Sequence, residues 1–162
     1  MRRSFVLDAS AVIALGRLRL LGLTADHVGD LLVPDAVLDE AGEGDRPGSE
    51  AVREAVDAGV LRVVGHDPAT AAAATSRLGA GEAATIELAD ALGAVAVLDD
   101  RDARRVAVRR GVALTGTVAI LVHLKVRGAI PSVSDQLDAL ERIGFRADPR
   151  VRKWALRAAG EE

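Results

Sequence analysis

The stretch VAVLDDRDARR, Val95 to Arg105, carries the reading of the fold. A run of β-formers stops at two adjacent aspartates, Asp99 and Asp100, and an arginine-rich, helix-forming segment follows at once. A continuous apolar run without polar alternation is the pattern of a strand buried on both faces, as in a parallel sheet. One carboxylate suffices to cap the helix that follows, so the second has another use.

The same unit recurs upstream. SFVLD (Ser4–Asp8) reads as a short buried strand, and SAVIALGRLRLLGL from Ser10 as one helix with Ser10 as its N-cap. LLVP (Leu31–Pro34) reads as a second strand, followed by a short helix, PDAVLDEAG, closed near Gly42. GEGDRPGSE is a loop, SEAVREAVDAG an amphipathic helix stopped by Gly59, and VLRVV (Val60–Val64) a third strand. DPATAAAATSRLG and GEAATIELADALG read as two helices broken at Gly79 to Gly81, leading into the fourth strand, AVAVLD (Ala94–Asp99). DARRVAVRRG is a helix, VALT a brief fifth strand, and GTVAILVHLKVRG an apolar helix. SVSDQLDALERIG and the basic DPRVRKWALRAAG complete the helices. Alternating strands and helices imply right-handed crossovers, hence a three-layer α/β/α fold around a mostly parallel sheet of about five strands.

The chain of 162 residues is expected to form one domain, residues 1–162, with the helices from about residue 132 as an extension of it. Only Phe5, Phe145 and Trp154 are aromatic, so Ala, Val, Leu and Ile must build the core, and base stacking is not expected to dominate recognition of a nucleic acid. The absence of cysteine excludes disulfides and thiolate metal sites. No apolar run reaches the roughly 18 residues needed to span a bilayer. The basic start MRRSFVLDAS is interrupted by Asp8 too early for a signal peptide, so a cytoplasmic location is expected. Charge is segregated: residues 1–100 carry 8 Lys/Arg against 17 Asp/Glu, whereas residues 101–162 carry 13 against 7. Such a split suits an anionic partner bound beside an acidic pocket, or two ordinary solvated faces.

In open parallel sheets the ligand site lies off the carboxyl ends of the strands. Asp8 ends the first strand there and Asp99–Asp100 the fourth; Glu40, on the helix after strand two, and Glu82, opening the helix before strand four, are candidates for the same edge. Taken singly, Asp8 and Asp99 read as helix caps and Glu82 as a first-turn acid favoured by the helix dipole. Glu40 lies in a last turn, where the dipole disfavours negative charge. Gathered together, such carboxylates repel by several kcal/mol unless protonated or neutralised by a cation. An all-oxygen donor set selects a hard divalent ion, Mg²⁺ or Mn²⁺, which suits a metal-dependent phosphodiesterase.

At these residues the chain resembles the PIN-domain nucleases, especially the VapC-type ribonuclease toxins, over most of its length from VLDASAVIAL to TGTVAILVHLKVRGAI. Asp8 in LDAS matches the family's first aspartate and Ser10 its following hydroxyl residue. Glu40 in PDAVLDEA matches the glutamate after strand two, Glu82 in GEAATIELA the third acid, and Asp99 or Asp100 in LDDRDARR the fourth. The turn TGT, Thr115 to Thr117, matches the family's next segment. Two departures stand out: Glu82 replaces an aspartate, lengthening that arm by one methylene, and LDDRDAR replaces the usual T-x-D-x-x-F.

The resemblance implies an Mg²⁺- or Mn²⁺-dependent endoribonuclease. Asp8, Glu40, Glu82, Asp99 and Asp100 would form its catalytic acids, and Asp8, Glu82 and Asp100 its metal ligands. Ser10 and Thr117 would hydrogen-bond the water shell or a phosphate oxygen, and Arg101, Arg104, Arg105 and Arg109 would engage the RNA backbone. It also implies a small antitoxin partner over the acidic cleft. Apolar surface expected to remain on SAVIALGRLRLLGL would suit that partner or a homodimer. The alternative is a PIN-like module with weak catalysis that binds RNA or protein.

Other chemistries fit less well. No G-x-G-x-x-G follows the first strand, which argues against a dinucleotide site. Ser10 stands where a haloacid-dehalogenase-type phosphatase needs its second aspartate, and a receiver domain would want paired acids before the first strand's aspartate. His27, His66 and His123 share no ligand spacing.

Overall fold

The computed structural model describes residues 2–42, 47–65 and 78–162. Five strands form one sheet: β1 (Ser4–Leu7), β2 (Asp30–Pro34), β3 (Leu61–Val64), β4 (Val95–Val97) and β5 (Leu114–Thr115). Their order is β3-β2-β1-β4-β5 and every pairing is parallel. Among the described residues nine helices flank the sheet: α1 (Ala9–Arg17), α2 (Leu21–His27), α3 (Asp35–Gly42), α4 (Ser49–Asp57), α5 (Ala80–Leu92), α6 (Arg101–Arg109), α7 (Thr117–Val126), α8 (Val133–Arg142) and α9 (Pro149–Ala158).

Alternate residues of each strand face opposite sides of the sheet. Val6, Leu32, Ala96 and Leu98 meet Ile86 and Ala89 of α5 and Ala103 and Ala107 of α6. Phe5, Leu7, Leu31, Val33, Val95 and Val97 belong to the larger core with α1–α4 and α7–α9. Both faces are therefore covered, as the unbroken apolar strands require. The three-layer α/β/α reading holds.

Three local expectations are corrected. SAVIALGRLRLLGL is not one helix: α1 ends at Arg17, Arg19 takes φ 56°, and α2 starts at Leu21. The N-cap of α1 is Asp8, not Ser10; its side chain accepts a bond from Ala11 N. The apolar surface expected to remain on this segment is largely absorbed by the chain's own core. Ala11, Val12, Ala14, Leu15, Leu20 and Leu21 are buried, while Ile13, Leu18 and Leu23 pack against them. The helix expected over DPATAAAATSRLG falls mostly on residues 66–77, outside the described residues, as does His66.

The sheet order puts a topological switch between β1 and β4: the chain leaves β1 for β2 on one side, while β4 and β5 are added on the other. A crevice forms at such a point, off the carboxyl ends of the two strands.

Candidate active site

Asp8 follows β1 and Asp99 follows β4 by two residues, and β1 and β4 are direct neighbours. The register pairs Leu7 with Val97, and Asp8 N donates to Val97 O at 3.2 Å. The two carboxylates therefore emerge side by side at the switch point. Ser10 Oγ stands between them, 3.1 Å from Asp8 Oδ1 and 3.3 Å from Asp99 Oδ2. Asp8 Oδ1 also accepts from Ala11 N at 2.8 Å. Asp99 accepts from Thr117 twice, from the backbone N at 2.9 Å and from Oγ1 at 2.6 Å. Gly116 permits that approach: a Cβ there would lie 3.1 Å from Asp99 Oδ1 and 3.3 Å from the Arg104 guanidinium. The TGT turn thus holds Asp99 in place.

Asp8 is 3 % exposed. Burial, and then the Asp99 charge, push its carboxyl up to about 7, against the lowering effect of its bonds to Ala11 N and Ser10. Ser10 and Thr117, expected to face water or phosphate, here hydrogen-bond the carboxylates themselves, because two acids this close need donors more than further acceptors.

A second group lies where α3 and α5 meet. Glu40 accepts from Gly81 N at 3.1 Å, in the first turn of α5. The N-cap of α5, Gly79, has no side chain, so an acid from another helix satisfies the buried Gly81 amide. That supplies a physical reason for a glutamate at an α3 C-terminus, where the helix dipole disfavours it. Gly81 also makes room: a Cβ would lie 2.8 Å from Glu40 Oε1. Glu82, next along, has its carboxyl raised by burial first, then by the charges of Asp100, Glu40 and Asp102. Asp100 is the N-cap of α6, its Oδ2 accepting from Ala103 N at 3.0 Å. The two aspartates of LDDRD thus divide their work: Asp100 caps the helix, and Asp99 points between Ser10 and Thr117.

Asp8, Ser10, Glu40, Glu82, Asp99 and Asp100 line one open cleft of about 1420 Å³. Arg101, Arg104, Arg105 and Arg109 line it too. They are not equivalent. Arg104 is half-buried and donates to Leu98 O at 2.7 Å, bracing the end of β4. Arg105 lies 3.8 Å from Asp102 in an exposed pair of little energetic weight. Arg101 and Arg109 are exposed. Among the described residues no three carboxylates converge closely enough, as they stand, to form a closed ligand set. The donors are nevertheless all hard oxygens; burial first, and then the neighbouring negative charges, raise Asp8 and Glu82, and a dication would offset those charges.

The remaining histidines stay outside. The exposed His123 sits with its ring Nε2 3.2 Å from His27 O, joining α7 to the end of α2. One wall of the cleft went unread in the sequence: Phe145, Arg146, Asp148, Val151 and Trp154, from the C-terminal segment. Its only sequence signal was that two of three aromatics lie within ten residues of each other.

The arrangement defines a class: a parallel α/β protein with an acid-lined, arginine-rimmed cleft at its switch point. Residues 4–161 match the family model of the PIN domain, and the chain belongs to that family. PIN domains are nuclease-type hydrolases that act on nucleic acids. No curated protein matches the sequence. Among the described residues no helix is long and apolar enough to cross a membrane.

Proposed function

We propose that this chain is a divalent-metal-dependent endoribonuclease, acting as one domain in the cytoplasm. The observation that carries the reading is the shared cleft: acids from the ends of β1 and β4 and from α3 and α5 open onto one space with four arginines of α6. Asp8, Glu82 and Asp100 would hold Mg²⁺ or Mn²⁺, with Asp99 and Glu40 completing the acidic set. When bound, the cation supplies activation of water and charge neutralisation at the phosphodiester. Ser10 and Thr117 fix the rotamers of Asp8 and Asp99, so that the acids are aimed before substrate arrives. Arg101, Arg105 and Arg109 contact backbone phosphates, and Arg104 keeps the end of β4 in register with them.

On this reading the protein is the toxin of a type II toxin–antitoxin pair. A small antitoxin would cover the acidic cleft, and the toxin would pair as a homodimer. A second reading, a PIN-like module that binds RNA or protein with weak catalysis, draws on the absence of three convergent carboxylates among the described residues. Incubating purified protein with single-stranded RNA, with and without Mg²⁺ or Mn²⁺, separates the two. Metal-dependent cleavage abolished by Asp8→Asn and Asp99→Asn supports the nuclease; RNA binding without cleavage in either metal supports the binding module.

A further inference from the structure

Most of the large hydrophobic surface of this protein is buried, and the exceptions are concentrated. Among the described residues six large hydrophobics are exposed, and three of them, Val108, Val151 and Trp154, line the acidic cleft. Val108 is 64 % exposed on α6, while Val151 and Trp154, 40 % and 50 % exposed, stand three residues apart on one face of α9. The adjoining side of that helix is docked: Ala155 is fully buried and Arg152 bonds Asp138 of α8 at 2.7 Å. Trp154 is thus held on a docked helix with its indole available to the cleft. Phe145 and Arg146 belong to the same wall. Arg101, across the cleft on α6, is close enough to lower the Asp148 carboxyl at the start of α9, after the stronger effect of Asp148's own bonds to Arg150.

A cleft that combines aromatic and aliphatic side chains with acids and arginines suits an unpaired nucleotide strand, which offers both phosphates and uncovered base faces. A base inside a duplex has both faces covered and could not use it. We propose that Trp154 is a stacking platform for one base of the bound strand, adding a base contact on the α9 wall to the phosphate contacts of the α6 arginines. This rests on the nuclease reading above and names the residue that holds a base beside the acids.

Trp154 is the only tryptophan and the chain has no tyrosine, so its emission reports on this wall alone. The full chain, with Ca²⁺ replacing Mg²⁺, is titrated with a single-stranded RNA decamer, an abasic decamer of equal charge and a duplex of the same sequence. The proposal expects saturable quenching by the single strand, and roughly tenfold or more weaker binding of the abasic strand and the duplex. Trp154→Ala, followed by fluorescence anisotropy of labelled strands, should weaken the decamer to the abasic level and leave the abasic strand unchanged. Trp154→Phe should recover much of the difference, and a thermal melt checks that both variants fold. Equal affinity for decamer and abasic strand overturns the proposal. So does a blue shift that grows with protein concentration without nucleic acid, since the wall would then seat a second copy. Cleavage in Mg²⁺ is measured in parallel. Cleavage without base discrimination overturns this inference alone; neither cleavage nor binding overturns the nuclease reading along with it.

Discussion

Thr117 holds Asp99 by two bonds at once, through its backbone N at 2.9 Å and its Oγ1 at 2.6 Å. The threonine opens α7 and the aspartate follows β4, so the pair ties one helix N-terminus to the neighbouring strand end. A carboxylate there also benefits from the unsatisfied amides and the positive end of α7. Thr117→Val keeps the amide bond and the shape and removes the hydroxyl. Folding stability in urea should fall by about 1–2 kcal/mol, with a larger proportional loss of RNA cleavage because Asp99 gains freedom. An unchanged midpoint and unchanged cleavage would show that the hydroxyl has no role in positioning.

Two glycines give a paired test of how the second acid group is placed. Gly22 and Gly81 are each the second residue of a helix. A Cβ on Gly22 meets nothing within 4 Å, whereas one on Gly81 would lie 2.8 Å from Glu40 Oε1. Gly22→Ala should therefore stabilise the protein by up to about 1 kcal/mol and leave cleavage unchanged. Gly81→Ala should lose most of that gain, because Glu40 is displaced from its bond to the Gly81 amide, and its cleavage rate should fall. Chemical denaturation and a cleavage assay on both variants check this; equal behaviour of the two would contradict the placement of Glu40.

Asp8 predicts a pH dependence in the metal-free protein. Its carboxyl is raised from 3.8 to about 7 by burial and by Asp99, so the folded chain holds this proton more tightly than the unfolded chain. Its contribution is fully present below about pH 4 and is lost as pH rises to about 7, on the order of a few kcal/mol across the window. Asn at position 8 can still accept from Ala11 N and carries no charge. In chelator, wild type should therefore lose more stability than Asp8→Asn between pH 4.5 and pH 7.5. Identical slopes would mean that Asp8 is ionised throughout.

What could be read in the sequence was what depends on short range. The buried strands were legible because parallel strands are apolar on both faces. The positions of Asp8 and Asp99 were legible because each directly follows such a run. The break at Leu18 to Leu20 was not, since Arg19 in a left-handed conformation goes against its own preference and only tertiary packing explains it. Serine favours the cap position, which points to Ser10 in the sequence, but Asp8, one residue ahead of α1, is the residue whose side chain accepts from the Ala11 amide. Glu40 looked unmotivated because its partner, the Gly81 amide, lies 41 residues away. The same distance problem hid the α9 wall: an amphipathic, basic helix shows which face is apolar, and only the fold shows that Trp154 meets the acids' cleft.

Mn²⁺ binding, followed by electron paramagnetic resonance, tests most directly whether these acids act as one site. Asp8→Asn removes the buried charge beside Asp99 and should itself fold well near neutral pH. If the carboxylates hold a dication together, Asp8→Asn and Glu82→Gln should each weaken Mn²⁺ by at least about tenfold, in parallel with lost RNA cleavage. Wild-type Mn²⁺ affinity in both variants would contradict a shared metal centre.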